Sequence, residues 1–197
     1  MKKLIISFAG QGNGIGTLPR YEFVNFLNKH YSKNFDFKFY LDKTNKWYHS
    51  GITEETNDIP TSIKLLEKIV EPYTHVYFIG SSAGGYASIL FASLLHKKID
   101  QIFTVIAFKP QTFISEKYEF NNLKNIIKDD IKYYLFGDSK IEYNIDPLHH
   151  ISHITNLNNI NININIEIKI IENLDLQKMK KAGYLLEIFN NILIPDT

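Results

Sequence analysis

Ser82 stands at the centre of Gly80-Ser81-Ser82-Ala83-Gly84. A serine becomes a nucleophile when its hydroxyl is exposed, a base takes its proton, and donors stabilise the anion formed at the attacked carbonyl. A sharp turn with small neighbours supplies the exposure. With ten glycines and eleven serines in 197 residues, only about 0.03 serines would carry glycine at both −2 and +2 by chance, so the pattern is informative. A tight structural turn is the plain alternative. Histidine is the base suited to neutral pH, and three of the seven histidines cluster in "IDPLHHISHI" as His149, His150 and His153. Among these His150 is the first candidate and His149 the second, with His49 of "KWYHSGI" a further one. His30, His75 and His96 read as surface or rim residues. His149 and His153 also have the i, i+4 spacing of two metal ligands, but no Glu follows His149 and no third ligand is evident, so no metal is expected.

These groups need elements to hold them. Apolar runs at 4–10, 35–42, 75–80, 101–108, 131–137 and 164–171 read as strands. Helical patterns cover 20–31, 61–70, the stretch through Leu95, 123–129 and 176–193, with Thr61 read as an N-cap. The alternation predicts an α/β fold, a mostly parallel six-stranded sheet with helices on both faces and one domain over 1–197. Ligands of such sheets sit at the carboxyl ends of the strands, and Ser82 follows the third strand immediately. Asp146 before Pro147 reads as a helix N-cap with proline at the first helical position. "TNLNNINININIEIKIIEN" (155–173) is a low-complexity Asn/Ile repeat whose period of two reads as a strand in its second half.

Composition removes several classes of function. The chain has no cysteine, hence no disulfide, thiolate metal site or cysteine nucleophile. A net charge of +1 gives no basic footprint for nucleic acid. The apolar run after Lys2-Lys3 is short and lacks a cleavage site, so it reads as a buried strand and not as a signal peptide. No run reaches a membrane span. A cytoplasmic protein is the expectation; the oligomeric state is open.

The elbow sequence and the strand order resemble the α/β-hydrolase superfamily over nearly the whole chain, in its small, lidless form without a cap domain. The resemblance implies that Ser82 is the nucleophile and that the N–H groups of Ala83 and Gln11 form the oxyanion hole. It places the acid at Asp138, one residue beyond Gly137 after the fifth strand. It also places a histidine after the last strand, where this chain reads "ENLDLQ" and has none from 154 onward. The base is therefore expected to be displaced to the 149–153 cluster.

The glycine-rich "FAGQGNGIG" after the first strand fails the dinucleotide fingerprint. Counted from Gly10 or Gly12, the third glycine position holds Ile15 or Thr17. No P-loop Gly-Lys-Ser/Thr is present either, and no cofactor is expected. Trp47, Tyr48 and Gln111 lie in loops that should border Ser82. Aromatic and amide groups there suit a small-molecule ester or an acylated sugar, although Trp47 could equally plug its loop onto the body. The sequence thus predicts a carboxylic ester hydrolase. The alternatives are an acyltransferase on the same groups or a non-catalytic binding protein on a degenerate scaffold.

Overall fold

A computed structural model of the chain describes residues 3–11, 22–96, 101–158 and 165–194. The glycine-rich stretch beyond Gln11, the start of the helix expected from Arg20 and the centre of the Asn/Ile repeat lie outside these residues.

Six strands form one parallel sheet: β1 (Lys3–Phe8), β2 (Asp36–Tyr40), β3 (His75–Ser81), β4 (Ile102–Phe108), β5 (Lys132–Asp138) and β6 (Ile166–Ile171), in the order β2-β1-β3-β4-β5-β6. The chain crosses to one side of β1 for β2 and to the other for β3 and all that follow. The carboxyl ends of β1 and β3 thus flank the point where the winding reverses, the place where ligands of such sheets bind. Phe8 pairs with Gly80, which sets the loop after β1 alongside the loop after β3.

The helices are α1 (Val24–Tyr31), α2 (Ile59–Val70), α3 (Ala83–Leu95), α4 (Ser152–Asn158), α5 (Leu176–Lys181) and α6 (Tyr184–Leu193). Period-two alternation along the strands divides the core in two. Leu4, Ile6, Phe8, Val76, Phe78, Val105 and Leu135 pack beneath α2, α3 and α4. Ile5, Tyr77, Ile79, Ile106, Phe108 and Phe136 face α1, α5 and α6. Both faces are covered, and the inner strands accordingly read as near-continuous apolar runs. Among the described residues no helix is long and apolar enough to cross a membrane.

Several boundaries differ from the expectation for local reasons. The N-cap of α2 is Asp58; Thr61 is its N3 partner in a reciprocal capping box. The stretch 123–129 forms only a short 3₁₀ turn, Leu123–Asn125. The closing helix is broken in two because Gly183 adopts φ +78° between α5 and α6. No helix starts at Pro147; turns run from there to α4 at Ser152.

Candidate active site

Strand β3 ends at Ser81, α3 begins at Ala83, and Ser82 makes the whole turn with φ 56° and ψ −122°. That conformation is uncommon and strained for a residue with a side chain. The neighbouring glycines permit it. A Cβ on Gly80 would lie 2.2 Å from the Gly84 carbonyl group, and one on Gly84 would lie 2.1 Å from the Phe8 carbonyl oxygen. The spacing of glycines around Ser82 is therefore a packing requirement of the strand-to-helix reversal. The Ser82 N–H donates to the Phe108 carbonyl oxygen at 2.9 Å, tying the turn to the end of β4. Helix α3 starts just behind the hydroxyl, so first-turn N–H groups, that of Ala83 foremost, have no intrahelical acceptor.

A histidine meets this hydroxyl. Ser82 Oγ lies 2.7 Å from His149 Nε2, and His149 Nδ1 lies 2.7 Å from Asp146 Oδ2. A carboxylate only accepts, so Nδ1 carries the proton and Nε2 is left to accept from the serine O–H. Asp146 and His149 sit at i and i+3 of a single turn, in which the His149 N–H donates to the Asp146 carbonyl oxygen. The carboxylate and the ring it holds thus lie within four consecutive residues.

Two devices seat this turn on the sheet. Ile151 and Ile154 pack over the end of β5, where a Cβ on Gly137 would meet their Cδ1 atoms at 2.8 and 2.6 Å. His153, 2% exposed, acts as a buried strut. Its Nδ1 accepts the Thr112 N–H at 3.0 Å, and its Nε2–H donates to the Pro147 carbonyl oxygen at 3.1 Å. The ring stacks on Phe113 with centroids 3.8 Å apart. Burial lowers the His153 pKa to about 4, which keeps the ring neutral, the form that this pair of bonds requires.

The acid expected at Asp138 is elsewhere engaged. Asp138 is buried, and its Oδ1 accepts the N–H groups of Lys140 at 2.9 Å and Asn173 at 3.1 Å. It closes the ends of β5 and β6. Asp146, read from the sequence as a helix cap, is the carboxylate bonded to the histidine. The first-choice base, His150, is turned away: its Nδ1 accepts the Ser152 N–H, and its ring meets Tyr143 edge-on. His149 takes the position beside Ser82. His49 is likewise engaged, its Nε2 lying 2.9 Å from the Tyr86 hydroxyl, which itself donates to the Phe120 carbonyl oxygen. The signal for Asp146 was present in "DPLHH", since i and i+3 share one side of a helical turn. Among the described residues no group of three or more His, Asp or Glu side chains is set to hold a metal.

Of the loop residues expected to meet substrate, Tyr48 and Gln111 are buried, at 0% and 2% exposure. Tyr48 donates to the Ala9 carbonyl oxygen at 2.7 Å and belongs to the body of the protein. The Gln111 side-chain oxygen accepts the Trp47 indole N–H. Trp47 alone is partly exposed, edge-on to Tyr118. Its loop is held by Asp42, whose carboxylate accepts the N–H groups of Thr44, Lys46 and Tyr48. Gln11 follows β1 beside the elbow; the Cβ position on neighbouring Gly10 lies 3.6 Å from Ser82 Cβ.

Solved structures share this architecture. The Vlm2 thioesterase domain carrying 2,3-diaminopropionic acid bound with a dodecadepsipeptide is 13% identical, with a TM-score of 0.53 over 98% of this chain and 93% of that one. The chain has the α/β-hydrolase fold. LpqC, a poly(3-hydroxybutyrate) depolymerase from Bordetella parapertussis, is 12% identical, with a TM-score of 0.51 over 94% of this chain and 79% of that one. No protein-family model matches the sequence, and no curated protein sequence matches it. Within this fold the strand β3–helix α3 turn is where Ser82 stands. The loop after β6, which offers Asn173, Leu174 and Asp175, holds no histidine.

Proposed function

We propose that this protein is a serine hydrolase that cleaves small-molecule carboxylic esters through an acyl-enzyme. The observation that carries the reading is the hydrogen-bonded series Ser82–His149–Asp146 set on a strained strand-to-helix turn. As Ser82 Oγ attacks the ester carbonyl, His149 Nε2 takes the hydroxyl proton. The Asp146 carboxylate holds Nδ1–H and stabilises the imidazolium. The N–H groups of Ala83 and Gln11 receive the oxyanion. Collapse of the tetrahedral species breaks the bond to the leaving alcohol, which takes the proton from His149. A water molecule then gives a proton to His149 as its oxygen bonds to the acyl carbon; the acyl C–Oγ bond breaks, His149 returns the proton to Ser82 Oγ, and the carboxylic acid leaves. Trp47 with Tyr118 forms an aromatic wall for the substrate.

A fluorophosphonate probe tests the reading, because its phosphorus accepts an activated serine and mimics the tetrahedral species. Wild-type protein should be labelled on Ser82 and Ser82→Ala should not. Absence of labelling of folded wild-type protein at saturating probe would sink the proposal.

A further inference from the structure

Glu22 takes no part in the steps above, yet its carboxylate is buried close to the nucleophile. Glu22 is 9% exposed. Its Oε1 lies 2.8 Å from the point where a Cβ on Gly10 would stand, and Ser82 Cβ lies 3.6 Å from the same point. The carboxylate accepts the Gly10 N–H at 3.1 Å through Oε1 and at 3.4 Å through Oε2. Burial raises the Glu22 pKa, and the bond from Gly10 and the charge of Lys180 oppose the rise. Lys180 reaches over from α5, donates to the Glu22 carbonyl oxygen and lies over the Phe23 ring, so the segment bearing Glu22 is itself fixed.

The Gly10 N–H and the Ala9 carbonyl belong to one peptide unit, and that carbonyl accepts the Tyr48 O–H at 2.7 Å. The Ala9 N–H before it donates to the Tyr40 carbonyl oxygen at 2.9 Å. Both polar ends of the Ala9–Gly10 peptide are thus held by buried side chains from two separate segments. The next peptide carries the Gln11 N–H, and only Gly10, the least restricted of residues, stands between the two. An oxyanion donor acts through preorganisation, and a glycine pivot provides none by itself.

We infer that Glu22 and Tyr48 are positioning residues that clamp the Ala9–Gly10 peptide and thereby aim the Gln11 N–H at the developing oxyanion. The inference rests on the reading of Ser82 as nucleophile and of Gln11 as oxyanion donor. It makes reach, and not charge, the property required of residue 22. Glutamine keeps an oxygen at the right length, aspartate keeps the charge but falls short, and leucine keeps the bulk and accepts nothing.

The test is steady-state hydrolysis of p-nitrophenyl acetate together with the rate of fluorophosphonate labelling, in Glu22→Leu, Glu22→Asp, Glu22→Gln and Tyr48→Phe. Loss of a whole oxyanion donor costs about 10²–10³-fold in kcat, so a donor left in place but poorly aimed should cost about 10–100-fold. That loss is expected in kcat and in labelling rate for Glu22→Leu, Glu22→Asp and Tyr48→Phe, with KM changed by less than about threefold. Glu22→Gln should stay within about threefold of wild type. If Glu22→Leu does not fold, the contrast of aspartate with glutamine still decides. Wild-type rates in Glu22→Leu or Glu22→Asp would overturn the clamp, as would a Glu22→Gln variant as slow as Glu22→Asp. Wild-type protein that neither hydrolyses the ester nor labels on Ser82 would overturn the functional proposal and the clamp together.

Discussion

Asp138, the last residue of β5, and Asp146, in the turn beyond it, occupy opposite environments. Asp138 closes the strand end, is 5% exposed and has its Oδ1 occupied by two main-chain N–H groups. Asp146 lies eight residues further along on a surface turn, its side chain 41% exposed, with the His149 ring as its partner. The first is placed to join loops and the second to orient a ring. The histidines repeat the contrast. His153 has both nitrogens bonded to main-chain groups inside the protein, whereas His149, four residues earlier, spans a serine and an aspartate. A residue's position along the strand indicates which loop it joins; what its atoms meet decides what it can do.

The largest effects should separate the Ser82–His149 pair from every other candidate. Ser82→Ala and His149→Ala should each lower kcat for ester hydrolysis by about 10⁴–10⁶-fold, and the double variant should be little worse, because members of one catalytic unit are not additive. Independent, multiplying losses would contradict their acting as one unit.

Removal of each carboxylate should separate their two roles. Asp146→Ala should lower kcat by about 10²–10⁴-fold, less than loss of the serine, since the ring keeps its contact with Ser82 and the lost charge is partly screened by water. Asp138→Ala should instead lower stability by about 1–3 kcal/mol, through main-chain donors left without an acceptor, while kcat stays within a few-fold. Chemical denaturation of the two variants beside their kinetics checks this. Exchanged phenotypes would return the acid role to Asp138.

The buried His153 and the half-buried His75 should make the protein sensitive to acid. His153 and His75 are each held down to about 4 by burial, against about 6.5 in an unfolded chain. Between those values the unfolded state binds more protons, so stability rises with pH. Their contribution is fully present above about pH 6.5 and is lost as the pH falls towards 4. The urea midpoint should therefore fall from pH 7 to pH 4.5, and less steeply in His153→Gln. Equal pH slopes in both proteins would show that His153 is not buried neutral. The smallest effect is expected for His150→Ala, with kcat within about threefold of wild type, as suits a ring whose Nδ1 accepts the Ser152 N–H and whose face or edge meets Tyr143.

Much of this architecture is legible in the sequence, because strand and helix periodicity reflect burial on both faces of a sheet. The elbow was legible too, since only glycine fits against the Gly84 and Phe8 carbonyl groups. The acid was not. Asp138 stands where the resemblance to α/β-hydrolases points, and only its bond to the Asn173 N–H reveals that it secures the β6 loop. The choice between His149 and His150 depends on the phase of a turn beginning before α4, and that phase is set by the His153 strut and by Ile151 and Ile154 over Gly137. These are contacts between β5, the loop after β4 and the 146–153 segment, and no local pattern encodes them. Tyr48 reads as a substrate-facing aromatic for the same reason: its partner, the Ala9 carbonyl, lies 39 residues away.

Most depends on the proposed arming of Ser82 by a base displaced onto the 146–150 turn. Its most direct measurement is the second-order rate of fluorophosphonate labelling of Ser82 in His149→Ala and His150→Ala, compared side by side at pH 7.5. His149→Ala should label at least about 10³-fold more slowly than wild type, and His150→Ala at nearly the wild-type rate. Labelling of His149→Ala at the wild-type rate, or loss of labelling in His150→Ala alone, would contradict it.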